Sequence, residues 1–309
     1  MTRRAICVPM MAAIAIGALS PPTLAAGESA LRLLPTFRSA YQARIEGNAA
    51  GETPHVFLGS ASVAPDRHFP WTVSLQLRGA RSATAHFCGG VAVGPSWVLT
   101  AGHCVSAATS VGGKLDGAPL DPGMVQVLVR SNTLFRGGET KSIARILLHP
   151  EFRVTPQRVP VNDLALLQIA DVHDLTPLKI STESQANEFL QADSKLRIFG
   201  WGTATFDPSG AVSNNLLYAF VDVVERSKCN VPTVYEGAVD DTMFCAGLGF
   251  ADACQGDSGG PAVGYLRTVP ILVGITSWGV GCNNKDYPGV YTNVAKYAGW
   301  IRQSIGGSK

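Results

Sequence analysis

The chain has 309 residues, is 46% hydrophobic and 16% charged, and carries a formal net charge of +2. Those values exclude a disordered chain, and the absence of a basic tract excludes an electrostatic footprint for nucleic acid. One large all-β domain with an N-terminal extension accounts for the length.

Arg3 and Arg4 precede an apolar run, Ala5–Leu19, and small residues follow at Thr23, Ala25 and Ala26. This is the layout of a secretory signal peptide over residues 1–26, cleaved after Ala25 or Ala26. The run is shorter than the ~20 apolar residues of a membrane span, and it ends at Pro21-Pro22. Residues 27–44 contain a helix-compatible stretch, Ser29–Leu34, and read as a pro-segment that extends at most to about residue 57. One large domain is expected over 45–309. Export places the product outside the cell, or in the periplasm of a Gram-negative source, with no membrane attachment once the signal is removed.

From Trp71 the pattern becomes β-like. Trp71–Leu77 alternates apolar and polar side chains, the period of a half-buried strand. Short β-rich runs recur at Val91–Val93, Trp97–Thr100, Val125–Val129, Ala165–Ile169, Leu196–Phe199, Ala219–Val224, Ile271–Ile275 and Val290–Val294. With 33 glycines and 19 prolines supplying turns, this predicts a β-barrel or sandwich. Val294, Tyr297, Ala298 and Ile301 fall at helical spacing and predict a C-terminal helix to Ile305.

Seven cysteines are present, and Cys7 leaves with the signal. Cys88, Cys104, Cys229, Cys245, Cys254 and Cys282 remain, an even number that implies disulfides in an exported chain. Spacing alone leaves their pairing open. No Cys-x-x-Cys occurs and only His103 adjoins a cysteine, so no metal site is expected.

Three segments carry chemistry. In Asp252–Pro261, Ser258 is flanked by Gly256, Gly259 and Gly260, which let a substrate carbonyl approach main-chain N–H groups. A serine hydroxyl needs a base, and Trp97–Cys104 supplies His103 after a β-like run. Asn162–Leu167 supplies Asp163, a carboxylate able to hold a histidine in one tautomer.

In the order His, Asp, Ser, these segments resemble the chymotrypsin/trypsin family of serine proteases. The resemblance runs from about Pro70 to Ile305 and includes Phe87–Gly90, Gly200–Gly202, Met243–Gly247, Ser277–Gly279 and Pro288–Thr292. It implies an all-β fold of two six-stranded antiparallel Greek-key barrels, with the active site between them and a C-terminal helix. It implies catalysis by His103, Asp163 and Ser258, with the backbone N–H groups of Gly256 and Ser258 as the oxyanion hole. It implies the disulfides Cys88–Cys104, Cys229–Cys245 and Cys254–Cys282. Asp252 matches the acid at the base of the trypsin pocket, where a buried carboxylate favours a cationic side chain. Ser277, Trp278, Gly279 and Gly289 match the remaining substrate-binding positions. The expected function is therefore a cofactor-free endopeptidase cutting after Arg or Lys. Ala253, where many trypsins carry a hydroxyl, tilts that balance toward Arg. The alternative is an inactive homologue acting as a binding or adhesion protein.

Protein or peptide substrates and protein protease inhibitors are the expected partners of a monomer. For activation, the resemblance implies a freed N-terminal amine pairing with Asp257. Arg44–Ile45 is the preferred cut, although Ile45 lies 25 positions before Pro70. A cut near Val56–Leu58, or no zymogen switch, are the alternatives. The interval from His103 to Asp163 is long, and Val111–Gly123 is expected to be solvated loop; Asp116 and Asp121 are too few acids for a calcium site.

Overall fold

A computed structural model describes residues 61–65, 69–79, 85–111, 114–155, 159–203, 212–247, 252–280 and 286–306, with the backbone alone at 107–111 and 114–116. The expected signal peptide, Arg44, Ile45 and Cys282 lie outside the described residues.

Twelve strands form two closed barrels. The first contains β1 (Thr72–Leu77), β2 (His86–Gly94), β3 (Trp97–Thr100), β4 (Val125–Val129), β5 (Glu139–Leu148) and β6 (Ala165–Ile169). All pair antiparallel in the ring β1-β2-β3-β6-β5-β4. The second contains β7 (Lys195–Gly200), β8 (Leu217–Val224), β9 (Met243–Ala246), β10 (Pro261–Leu266), β11 (Val269–Trp278) and β12 (Gly289–Asn293). Its ring, β7-β8-β9-β12-β11-β10, repeats the first order strand for strand. Closure removes exposed strand edges from both sheets. The two-barrel architecture expected from the resemblance is present, and the chain ends in a short helix, Ala298–Gly306, entered through a 3-10 turn, Val294–Tyr297.

One apolar cluster runs through the first barrel and into the second, from Leu75, Val91, Leu99 and Leu166 to Phe199, Trp201, Leu272 and Ile275. This continuity explains one departure from the sequence pattern. β1 alternates as a half-buried strand should, yet all six of its residues are buried. Its polar side chains are hydrogen-bonded rather than solvated: Thr72 Oγ1 donates to Phe69 O at 2.8 Å, and Ser74 Oγ meets His86 Nδ1 at 2.8 Å. Burying such groups is tolerable when each has a partner.

The segment expected as solvated loop folds instead. Ser106–Val111 and Lys114–Pro119 pair as an antiparallel hairpin. Leu115 pairs with Val154 of a short strand, Arg153–Val154, which in turn pairs with Pro160–Val161 just ahead of Asp163. A glycine and a proline within the run hid its strand character. A helix at Glu183–Phe189, closed by a Thr182/Gln185 capping box, also went unread.

Candidate active site

His103 and Asp163 meet because their strands are neighbours. β3 and β6 pair with Thr100 opposite Ala165. His103 sits in the 3-10 turn Gly102–Cys104 just beyond β3, and Asp163 lies just before β6. Both are buried, His103 at 7% exposure and Asp163 at 1%.

The carboxylate receives several donors. His103 Nδ1 lies 2.7 Å from Asp163 Oδ2, and the His103 backbone N–H donates to Oδ1 at 2.8 Å. Ser277 Oγ donates to Oδ2 at 2.5 Å. An acceptor-only carboxylate requires that His103 Nδ1 carry the proton, which leaves Nε2 as the free base. Burial pushes the Asp163 pKa up, but the His103 charge and the donors from His103 and Ser277 outweigh it and hold the group below the usual carboxylate range.

Ser258 lies on the loop between β9 and β10, clamped by both barrels. Gly89 N of β2 donates to Ser258 O at 2.7 Å, and Gly259 N donates to Thr276 O of β11 at 2.8 Å. Gly259 has φ +80°, and a Cβ there would overlap Thr100 Oγ1 and stand 2.5 Å from Gly89 O. Only glycine fits this turn. Among the described residues, the N–H groups of Gly256 and Ser258 donate to no protein acceptor. Ser258 and His103 line the same cleft without a hydrogen bond between their side chains. Such contacts commonly tighten only when substrate binds.

The cleft has a volume of about 840 Å³ and extends to Asp252. Asp252 is 9% exposed, and its Oδ1 accepts the Ala253 N–H at 2.8 Å. A Cβ on Gly289 would stand 2.7 Å from that oxygen, whereas the nearest atom to a Cβ on Gly279 is 3.7 Å away. Trp278 and Tyr235 meet edge to face at 4.8 Å, and Tyr235 OH donates to Pro288 O at 2.6 Å, which makes this wall rigid.

Asp257 points away from the cleft. Its oxygens accept from Gly202 N at 2.8 Å and Cys254 N at 2.9 Å. The residue keeps some surface, but its carboxylate is enclosed by protein, and burial pushes its pKa up to about 6 against those two bonds. Among the described residues it has no cationic partner.

Cys88 is bonded to Cys104 and Cys229 to Cys245. The expected Cys254–Cys282 pair involves a residue outside the described ones. Cys88, His103 and Cys104 lie close enough to share a metal ion, but the two sulfurs are spent on each other and offer no thiolate.

Sequence reasoning missed several contributors. Ser277 was expected only at the substrate, yet it binds Asp163. His86 was passed over, although it is fully buried and its Nε2 lies 3.0 Å from Gly256 O. Its place beside Phe87-Cys88 was the available signal. Thr292 was noted only as the end of the Pro288–Thr292 segment, and no role was given to it, yet its Oγ1 donates to Asp163 O at 3.3 Å.

Two closed six-stranded barrels with this cleft are the architecture of the chymotrypsin-fold proteases. The family model described as Trypsin matches residues 59–301. The chain is 35% identical over 260 residues to "Trypsin Blo t 3" of Blomia tropicalis, covering 80% of this chain and 85% of that protein. The chain belongs to the trypsin family of serine proteases.

Proposed function

We propose that this protein is an exported serine endopeptidase that cuts on the carboxyl side of Arg or Lys through a Ser258–His103–Asp163 triad. Ser258 Oγ attacks the scissile carbonyl carbon while His103 Nε2 takes its proton. The tetrahedral oxyanion is received by the Gly256 and Ser258 N–H groups. His103 then protonates the leaving amine, and the acyl-enzyme ester on Ser258 is hydrolysed by water that His103 activates. Asp163 holds the imidazole in the required tautomer and stabilises the imidazolium. Asp252 receives the substrate cation at the far end of the cleft, where Gly279 and Gly289 leave room for a long side chain.

The doubly bonded His103–Asp163 pair, opening onto a cleft that also holds Ser258 and Asp252, carries this reading. Each oxyanion donor contributes on the order of 10²–10³ in kcat in related chemistry. Activation by a cut at Arg44–Ile45 belongs to the same proposal, supported by the enclosed Asp257 carboxylate, which has no cationic partner among the described residues.

The test is a positional-scanning peptide library presented to the purified mature protein, with Ser258→Ala as control. Cleavage after Arg and Lys is expected from the wild type, and none from the variant. Cleavage after Phe or Leu would refute the pocket assignment, and activity in Ser258→Ala would refute the nucleophile.

A further inference from the structure

The turn that presents Asp163 is held from a distant part of the chain. Asn162 has φ +51°, a left-handed conformation that costs a non-glycine residue strain and that Asn tolerates better than most. Leu164 N reaches back to Asn162 O at 2.8 Å, so the carboxylate-bearing residue is the middle of a three-residue turn. Both ends of the Asn162 amide are engaged. Its Nδ2 donates to Glu151 O at 3.0 Å, and its Oδ1 accepts from Tyr297 OH at 2.8 Å.

Tyr297 is 5% exposed and ends the 3-10 turn that leads into the C-terminal helix. His149 packs edge-on against Tyr297 at 5.0 Å and Trp300 at 4.9 Å, while His149 N donates to Leu164 O at 3.0 Å. The C-terminal segment therefore holds Asn162 directly and packs on His149, whose N–H holds Leu164 on the other side of Asp163. Packing alone would require only the Tyr297 ring. The hydroxyl makes a directed bond to the residue whose backbone aims the carboxylate.

We infer that Tyr297 is a positioning residue for Asp163: its hydroxyl, acting through Asn162, keeps the carboxylate aligned on His103. The inference rests on the triad reading and assigns the C-terminal segment a part in it.

The experiment compares wild type, Tyr297→Phe, Asn162→Ala, Asn162→Gly and the Tyr297→Phe/Asn162→Ala double variant. Each is assayed for kcat and KM on an Arg-containing peptide, for the pH profile of kcat/KM, and for thermal midpoint. Tyr297→Phe keeps the ring and removes the bond. It is expected to lower kcat roughly three- to tenfold with KM unchanged, the scale of one lost hydrogen bond. The acid limb of the profile should move to lower pH as the Asp163 carboxylate loses alignment. In the Asn162→Ala background the same substitution should do nothing further, because both act through one bond. Asn162→Gly, which restores the left-handed backbone, should recover part of the kcat lost in Asn162→Ala. An unchanged kcat and acid limb in Tyr297→Phe, or an equal loss in the Asn162→Ala background, overturns the inference while leaving the triad standing. Labelling by a fluorophosphonate probe separates the two failures: a wild type that does not label brings down the triad reading and this inference with it.

Discussion

Each reactive group in the cleft is controlled by the atoms a few ångströms from it. Asp163 remains a buried anion because three donors face it, and removing any one would raise the cost of that charge. Gly289 is set by a similar proximity: any Cβ there would crowd the Asp252 carboxylate. Gly289→Ala places a methyl 2.7 Å from Asp252 Oδ1 in the starting geometry. Overpacking of that kind costs about 1–3 kcal/mol, so kcat/KM for Arg substrates is expected to fall roughly 10- to 100-fold while fluorophosphonate labelling of Ser258 persists. Loss of labelling together with hydrolysis would mean that the substitution damaged the nucleophile loop rather than the pocket. These residue-scale features were the most legible in the sequence, because the segments around His103, Asp163 and Ser258 are contiguous and chemically unusual. What stayed hidden at this scale were the roles of Thr292, Asn162 and Tyr297, ordinary residues joined by contacts that span 129 and 135 residues of chain.

Strand ends, rather than strand middles, carry the chemistry at the scale of elements. β3 and β6 are paired, so residues just beyond one and just before the other become neighbours. The Cys88–Cys104 bond fastens β2 to the turn bearing His103 across a separation of 16 residues. Closing a loop of that length is worth about 3 kcal/mol through the entropy of the unfolded chain. The Cys88→Ser/Cys104→Ser double variant is expected to lose about that much stability in denaturant titration, and to hydrolyse peptides more slowly as the His103 turn loosens. Wild-type stability in that variant would show the bond to be dispensable. Several elements escaped the sequence reading for physical reasons. β5 does not alternate cleanly, because its register against β6 shifts at a bulge near Gln168. β10 begins with Pro261 and contains Gly264, residues that argue against a strand until the barrel supplies neighbours.

The two barrels share one strand order and one continuous apolar cluster, and the loop that carries Ser258 is clamped between them. Order at that interface reaches Asp257, whose pKa is pushed up to about 6 by burial. A carboxyl group that holds its proton more tightly when folded stabilises the fold below its unfolded value near 3.8 and withdraws that stability as the pH rises through about 6. Before any amine reaches Asp257, stability is therefore expected to decline by about 2–3 kcal/mol between pH 4 and pH 7, and Asp257→Asn should flatten that slope. Pairing with a freed terminal amine would lower the pKa and abolish the decline, so thermal midpoints of precursor and active form across this range, with N-terminal sequencing of the latter, test the activation proposal. A precursor whose midpoint is flat from pH 4 to pH 7 would contradict it.

Local character was available from the linear chain: which segments prefer strands, where glycines and prolines interrupt them, and that cysteines would be bonded. Each of these depends on neighbours within a few positions. Closure of twelve strands into two rings of identical order, the folding of the Ser106–Pro119 hairpin and the burial of the polar face of β1 were decided only in three dimensions. Those outcomes depend on which distant surfaces meet, and a polar side chain reads as solvent-facing until the fold buries it beside partners such as Phe69 O and His86 Nδ1.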